Sequence, residues 1–82
     1  MTAPFPISSW SYRQLGAWLK MQRNSVGCSQ ERMAEQLGVT FQMIQKWERA
    51  ACRIPVDKLV GWCRVCGCNI QGAIAAAQTP EA

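Results

Sequence analysis

Residues 29–49, SQERMAEQLGVTFQMIQKWER, decide the fold of this chain because they contain two short helical patterns separated by a tight turn. Ser29 suits the N-cap of the first helix, since its hydroxyl can accept a hydrogen bond from a free amide of the opening turn. Gly38 follows that helix and is the residue type that most readily adopts a left-handed conformation and ends a helix. Thr40 is a second N-cap residue. Two helices joined by about three residues predict a helix-turn-helix.

Apolar residues recur at helical spacing on one side of each pattern. They are Met33, Ala34 and Leu37 in the first helix, and Ile44 and Trp47 in the second. We expect both stripes to face the core, with Trp47 packing the second helix against its neighbours.

The other side of the second helix carries side chains that suit base recognition. If Ile44 and Trp47 are buried, the residues that face outward are Phe41, Gln42, Gln45, Lys46 and Arg49. Glutamine can pair with adenine, lysine can donate to guanine, and an apolar side chain can contact the thymine methyl group. All of these residues except Arg49 are therefore predicted to contact bases. The alternative is an ordinary polar helix face, although such a face more often carries Glu–Lys pairs.

In these features the chain resembles the Cro/C1-repressor (XRE-type) family of bacterial and phage helix-turn-helix DNA-binding domains. The resemblance covers roughly residues 15–74. The residues that keep the family's spacing are Ser29-Gln30-Glu31, Ala34, Leu37-Gly38-Val39-Thr40, Ile44, Trp47-Glu48, Pro55, Leu59 and Gly67. The resemblance implies an all-α, lambda-repressor-like fold, a compact bundle of about five short helices with a helix-turn-helix.

The resemblance also implies which residues contact DNA. It places Phe41, Gln42 and Lys46 on base edges, and Gln30 on a phosphate and a base. The residues predicted to contact the DNA backbone are Ser29, Gln30, Thr40, Arg49 and Arg53. The chain departs from the family at residues 50–51, where Ala-Ala replaces the common Gly-Lys and removes one expected phosphate contact.

The flanking sequence predicts three further helices. The first spans about residues 12–23 and opens with the capping-box pattern SYRQ at residues 11–14. The fourth runs over residues 55–66, because proline suits a first helical turn and Gly67 suits a helix end. Asn69 is a suitable cap for the fifth.

Charged side chains outside the outward face of the second helix are expected mainly in solvated positions. Lys20 and Arg23 are assigned to the polar side of the first helix. Glu48 is expected to pair with a nearby cation, and Arg32 is one candidate. The chain has no histidine to activate a nucleophile and no Gly-rich phosphate loop, so it is predicted not to be an enzyme.

The length of 82 residues indicates one domain. We predict a flexible N-terminal segment over residues 1–9, a helix-turn-helix domain over 10–77 and a frayed tail over 78–82. Nine Lys/Arg against five Asp/Glu give a net charge of +4, which is compatible with a polyanionic partner. The sequence shows neither a membrane span nor a secretory signal, so we expect a cytoplasmic protein, bacterial or phage-encoded.

The five cysteines allow more than one interpretation. They are Cys28, Cys52, Cys63, Cys66 and Cys68. The spacing of the last three is compatible with metal binding or redox switching, but no histidine and no second cysteine pair completes a zinc site. We favour the interpretation that the cysteines are small apolar side chains, with no cofactor and no metal bound.

Together these features predict a sequence-specific double-stranded DNA-binding transcriptional regulator, a repressor that contacts the major groove with helix 41–49. The expected partners are an operator, a second copy of the chain in a homodimer, and a protein partner such as a toxin or an antirepressor. The alternatives are a DNA-binding antitoxin and a protein-interaction module that retains the fold. A metal- or redox-sensing regulator that uses Cys63, Cys66 and Cys68 is a third class.

Overall fold

The computed structural model describes residues 11–78, which form five helices and no strand. The helices are α1 (Tyr12–Ser25), α2 (Gln30–Leu37), α3 (Phe41–Glu48), α4 (Val56–Cys66) and α5 (Ile70–Gln78). The predicted all-α bundle of five helices is confirmed. The predicted flexible segment 1–9 lies outside the described residues, as do residues 79–82 of the predicted tail 78–82, whose first residue, Gln78, is the last residue of α5.

Local hydrogen bonds explain why the helices begin where they do. The hydroxyls of Ser11, Ser29 and Thr40 each accept a bond from the amide three residues later, at 3.1, 3.0 and 3.2 Å. Asn69 Oδ1 accepts from the amide of Gln71 at 2.9 Å. All four predicted N-caps are therefore present. The Ser11 amide itself donates to the carbonyl of Ala77 at 2.6 Å, which ties the start of α1 to the end of α5.

Left-handed residues follow four of the helices, the first being Gly27 after α1 with φ of 68°. Gly38 ends α2 with φ of 66° and Gly67 ends α4 with φ of 69°. Ala50, just after α3, has φ of 60° and is the one non-glycine residue with positive φ within residues 11–78. Ala50 occupies the first of the two positions at which Gly-Lys is common in the family that the chain resembles. The left-handed conformation costs an L-residue about 1–2 kcal/mol, so this turn is strained.

The core lies where the apolar stripes of the helices meet. The largest fully buried side chains are Trp62, Leu19, Met33 and Ile44. Trp47 is buried as predicted, and the indole Nε1 of Trp62 donates to the carbonyl of Leu19 at 3.1 Å. This bond satisfies the polar atom of a buried aromatic ring and fixes α4 against α1.

The first helix approaches the end of α3 at backbone distance. A Cβ atom added to Gly16 would lie 2.5 Å from the carbonyl oxygen of Glu48 and 2.9 Å from that of Trp47. Only a glycine in α1 allows this approach.

No helix of the described chain is both long and apolar enough to span a membrane.

Candidate nucleic-acid interface

The face of α3 opposite the core carries most of the predicted contact residues. Gln42, Lys46 and Arg49 are exposed, whereas Phe41 and Gln45 are half-buried at the edges of this face. Ile44 and Trp47 are buried on the other side of the helix. The face therefore offers amide, ammonium and guanidinium groups to an external partner, with one aromatic ring at its start.

Two adjoining clefts connect this face with α1 and α2. One, of about 180 Å³, is lined by Lys20, Gln30, Gln45, Glu48 and Arg49. The other is lined by Lys20, Arg23, Ser29, Gln30, Glu31 and Phe41. The structure thus brings together predicted contact residues from both motif helices.

Lys20 of α1 lines both clefts and is exposed, although the predicted contact set omits it. The sequence places Lys20 on the polar side of its helix, but it gives no information about which neighbour that side meets. Lys20, Lys46 and Arg49 give this face three exposed positive charges, whereas Glu31 gives it one exposed negative charge, so the face is positive. Positive charge around this face favours a polyanion.

A buried ion pair lies directly behind the face. Arg23 Nε donates to Glu48 Oε2 at 2.6 Å, and Arg23 Nη2 donates to Glu48 Oε1 at 3.1 Å. Both side chains are at least nine-tenths buried. Arg23 Nη1 also donates to the carbonyl of Cys28 at 2.8 Å. The hydrogen bond to Glu48 raises the pKa of Arg23 above its ordinary value, so the guanidinium stays charged.

This pair corrects two expectations. Arg23 does not lie in a solvated position on α1, and the partner of Glu48 is Arg23 rather than the exposed Arg32. The physical reason is that Glu48 is buried by the approach of α1 to α3, and a buried carboxylate requires a fully hydrogen-bonded partner. Residues separated by 25 positions in sequence form this contact, so periodicity within one helix does not indicate it.

The side chain of Gln30 is held by the same carboxylate. Its amide Nε2 donates to Glu48 Oε1 at 3.0 Å. A carboxylate only accepts hydrogen bonds, so the amide nitrogen must face Glu48 and the orientation of Gln30 is determined. One buried carboxylate thus connects α1, the start of α2 and the end of α3.

The remaining predicted backbone contacts lie around this centre. Ser29 and Thr40 are exposed and cap α2 and α3. Arg53 is exposed on the loop before α4, and its guanidinium carbon lies 4.6 Å from the ring centroid of Tyr12. This cation–π contact positions Arg53 beside the start of α1. Arg53 does not line either of the two clefts beside α3.

Three of the five cysteines are buried. Cys28, Cys63 and Cys66 are buried, Cys68 is half-buried and Cys52 is exposed. Burial, the largest cause, raises the pKa of Cys63 to about 12 and that of Cys66 to about 11. Residues 11–78 contain no group of three or more metal-ligating side chains placed to hold an ion.

Two sequence relatives are named as HTH-type regulators. The chain is 40% identical over 45 residues to uncharacterized HTH-type transcriptional regulators of Sinorhizobium medicae and Rhizobium meliloti. The match covers 55% of this chain and 32% of each relative, so the chain spans about a third of the length of these curated relatives.

Solved structures share the fold at low sequence identity. The clp gene regulator ClgR of Corynebacterium glutamicum superposes with a TM-score of 0.73 at 23% identity, over 80% of this chain and 86% of that one. The restriction-modification controller protein C.AhdI of Aeromonas hydrophila gives 0.70 at 18% identity, over 76% and 94%. The biofilm regulator SinR, solved in complex with DNA, gives 0.67 at 23% identity, over 73% and 97%.

The helix-turn-helix family model matches residues 19–72, which is more than half of the chain and includes α2, α3 and α4. The structural neighbours are named as regulators or controller proteins, and one of them, SinR, was solved in complex with DNA. The chain therefore belongs to the Cro/C1-type (XRE) helix-turn-helix family and has the fold of its DNA-binding transcriptional regulators.

Proposed function

We propose that this chain is a sequence-specific, double-stranded DNA-binding transcriptional regulator that contacts the major groove with α3. The observation that carries the proposal is the two-sided character of this helix. Ile44 and Trp47 anchor one side in the core, and Gln42 and Lys46 are exposed on the other side. Glutamine amides and lysine ammonium groups hydrogen-bond base edges that are accessible in the major groove.

The flanking residues suit the phosphate backbone. Arg49 and Lys20 are exposed cations that both line the cleft beside α3. Ser29 and Thr40 lie at helix N-termini, where free amides and the helix dipole favour a phosphate. These groups supply the electrostatic part of the affinity, whereas α3 supplies the sequence preference.

The position of the buried pair supports a recognition helix that is rigid before it meets DNA. Glu48 at the end of α3 is held by Arg23 of α1 and by Gln30 of α2. Side chains on a fixed helix lose less conformational entropy on binding than those on a mobile one. The structure around Glu48 thus favours specific binding.

We further propose a homodimer that acts as a repressor. One module of this size contacts about half of an operator, so a two-fold dimer would place its recognition helices about 34 Å apart on one side of the duplex. A dimer bound in this way occludes promoter DNA, which is the simplest route to repression. Among residues 11–78, the large apolar side chains that are exposed, and that could also receive a toxin or an antirepressor, are Met21, Val26, Val56 and Ile74.

Selection from a random duplex DNA library with the purified chain tests this function. We expect enrichment of an inverted repeat whose half-site spacing matches a two-fold dimer. Enrichment of a single half-site would retain DNA binding and contradict the dimer. No enrichment at low salt would contradict DNA binding and favour the alternatives, an antitoxin that needs its toxin or an interaction module. Selection with a Gln71→Ala variant is the control and should enrich the same DNA, because Gln71 is an exposed glutamine on α5 rather than α3.

A further inference from the structure

The end of α4 brings two cysteines together by backbone geometry. Gly67 is left-handed, and both its amide and that of Cys68 donate to the carbonyl of Cys63, the latter at 3.0 Å. This is the Schellman arrangement, in which the side chain of the second residue after the helix packs against the residue one turn before its end. That contact is usually made by two apolar side chains. Here both positions are cysteine.

The two thiols meet beside open space. The backbone bond from the Cys68 amide to the Cys63 carbonyl brings the two residues together, and the Cys68 side chain contributes to the raised pKa of Cys63. Both residues line a cleft of about 480 Å³ whose walls come from α4, the following turn and the start of α5. Val60 and Ile70 make part of this cleft apolar, and Arg64 supplies a positive charge. None of its lining residues belongs to α2 or α3, so it is separate from the proposed DNA-binding face.

We propose that Cys63 and Cys68 form a two-sulfur binding site for a soft monovalent metal ion of the Cu(I) class. Thiolate ligands select soft metals, and Cu(I) is stable with two of them. Zinc requires four ligands in a structural site, and the described residues provide no group of three or more at one place.

The charge balance also favours a monovalent ion. Two thiols bind one M⁺, release two protons to solvent and give a bis-thiolate complex of net charge −1. The guanidinium of Arg64 in the same cleft is available to neutralise that charge. Because Cys63 is buried and Cys68 is only half-buried, the ion would bind first to the thiolate of Cys68, and the thiolate of Cys63 would then complete its coordination.

Anaerobic competition with a chromogenic Cu(I) chelator tests the site on the full chain. We expect the wild-type chain to take a single equivalent of Cu(I) from the chelator. Cys68→Ser should weaken binding by about 100-fold or more, since loss of an outer-shell partner alone costs about 10–100-fold at metal sites. Cys52→Ser, which changes an exposed cysteine outside the cleft, is the matched control and should bind like the wild type.

Several results would overturn the proposal. One is a Cys68→Ser variant that retains wild-type affinity while its circular dichroism spectrum is unchanged. Another is a chain in which Cys63 and Cys68 are found joined as a disulfide and no copper is bound. A third is an X-ray absorption spectrum with three sulfur neighbours, which would require Cys66 as a ligand. Cys68 is the decisive position because its partial exposure makes a serine tolerable there, whereas Cys63→Ser places a hydroxyl in a buried site.

Discussion

Arg23 and Glu48 form a buried two-point ion pair that joins α1 to the last residue of α3, with distances of 2.6 and 3.1 Å. The carboxylate has a third donor in Gln30, and the guanidinium has a second acceptor in the carbonyl of Cys28. Such a network is costly to interrupt, because removal of one partner leaves the other charge buried and unpaired.

We therefore expect Arg23→Met to reduce the free energy of unfolding by about 3–5 kcal/mol. The double variant Arg23→Met/Glu48→Leu removes both charges and should lose much less than the sum of the single losses. Urea denaturation of the two single variants and the double variant measures the coupling. Additive losses would show that the two side chains do not depend on each other.

Gly16→Ala tests the close approach of α1 to α3. The new methyl group would meet the backbone carbonyl of Glu48 at 2.5 Å, and backbone cannot rotate away. We expect a loss of about 1–3 kcal/mol from overpacking, measured by thermal or urea denaturation. Gly61→Ala is the matched control in α4, where the methyl group meets only the mobile end of Leu37. Equal effects of the two substitutions would contradict a backbone-limited contact.

Ala50→Gly should stabilise the chain. Ala50 has φ of 60°, which strains any residue with a Cβ atom, and glycine removes that strain at some cost in unfolded-state entropy. The expected net gain is on the order of 0.5–1 kcal/mol. The neighbouring Ala51 does not have positive φ, so Ala51→Gly should give no gain. If both variants changed stability alike, backbone strain at residue 50 would not be the cause.

The local parts of the fold could be predicted from sequence because their causes are local. Ser29, Thr40 and Asn69 cap helices through atoms two or three residues away, and Gly38 and Gly67 end them through their own φ angles. These signals depend only on residue type and short spacing.

Contacts between distant segments could not be predicted in the same way. Arg23 has the polar character of a surface residue in its own helix, and only the packing of α1 on α3 shows that it is buried with Glu48. Lys20 and Gln30 share clefts for the same reason. The residues that contact bases remain a prediction, since the structure gives their exposure and not their partners.

Thermal stability should fall at alkaline pH because burial raises the pKa values of two thiols. Burial raises the pKa of Cys63 to about 12 and that of Cys66 to about 11, from an ordinary value of 9.0. The folded chain therefore keeps protons that the unfolded chain releases. This contribution is fully present below pH 9.0 and is lost as the pH rises towards 11 and 12. The melting temperature should fall above pH 9.0, and Cys66→Ala should flatten the decline. A melting temperature with the same alkaline slope in this variant would assign the decline to other groups.

Substitutions on and beside α3 should separate base recognition from phosphate binding. On the selected DNA site, Gln42→Ala and Lys46→Ala should each cost about 1–3 kcal/mol and relax the preference at one base pair, because each would remove a donor that we propose contacts a base edge. Arg49→Ala should weaken binding to all sequences alike and reduce the salt slope by about one, because it would remove the phosphate contact that we propose for Arg49.

The same experiment decides whether α3 is the recognition helix. Binding curves on specific and scrambled duplexes at several salt concentrations distinguish the two classes, with Gln71→Ala of α5 and Arg64→Ala of α4 as controls for exposed glutamine and arginine. If Gln42→Ala left both affinity and base preference unchanged while Arg49→Ala reduced the salt slope, DNA would contact the positive face without base recognition by Gln42. If Arg64→Ala matched Arg49→Ala, the charge effect would belong to the whole chain rather than to the face of α3, because Arg64 lies on α4.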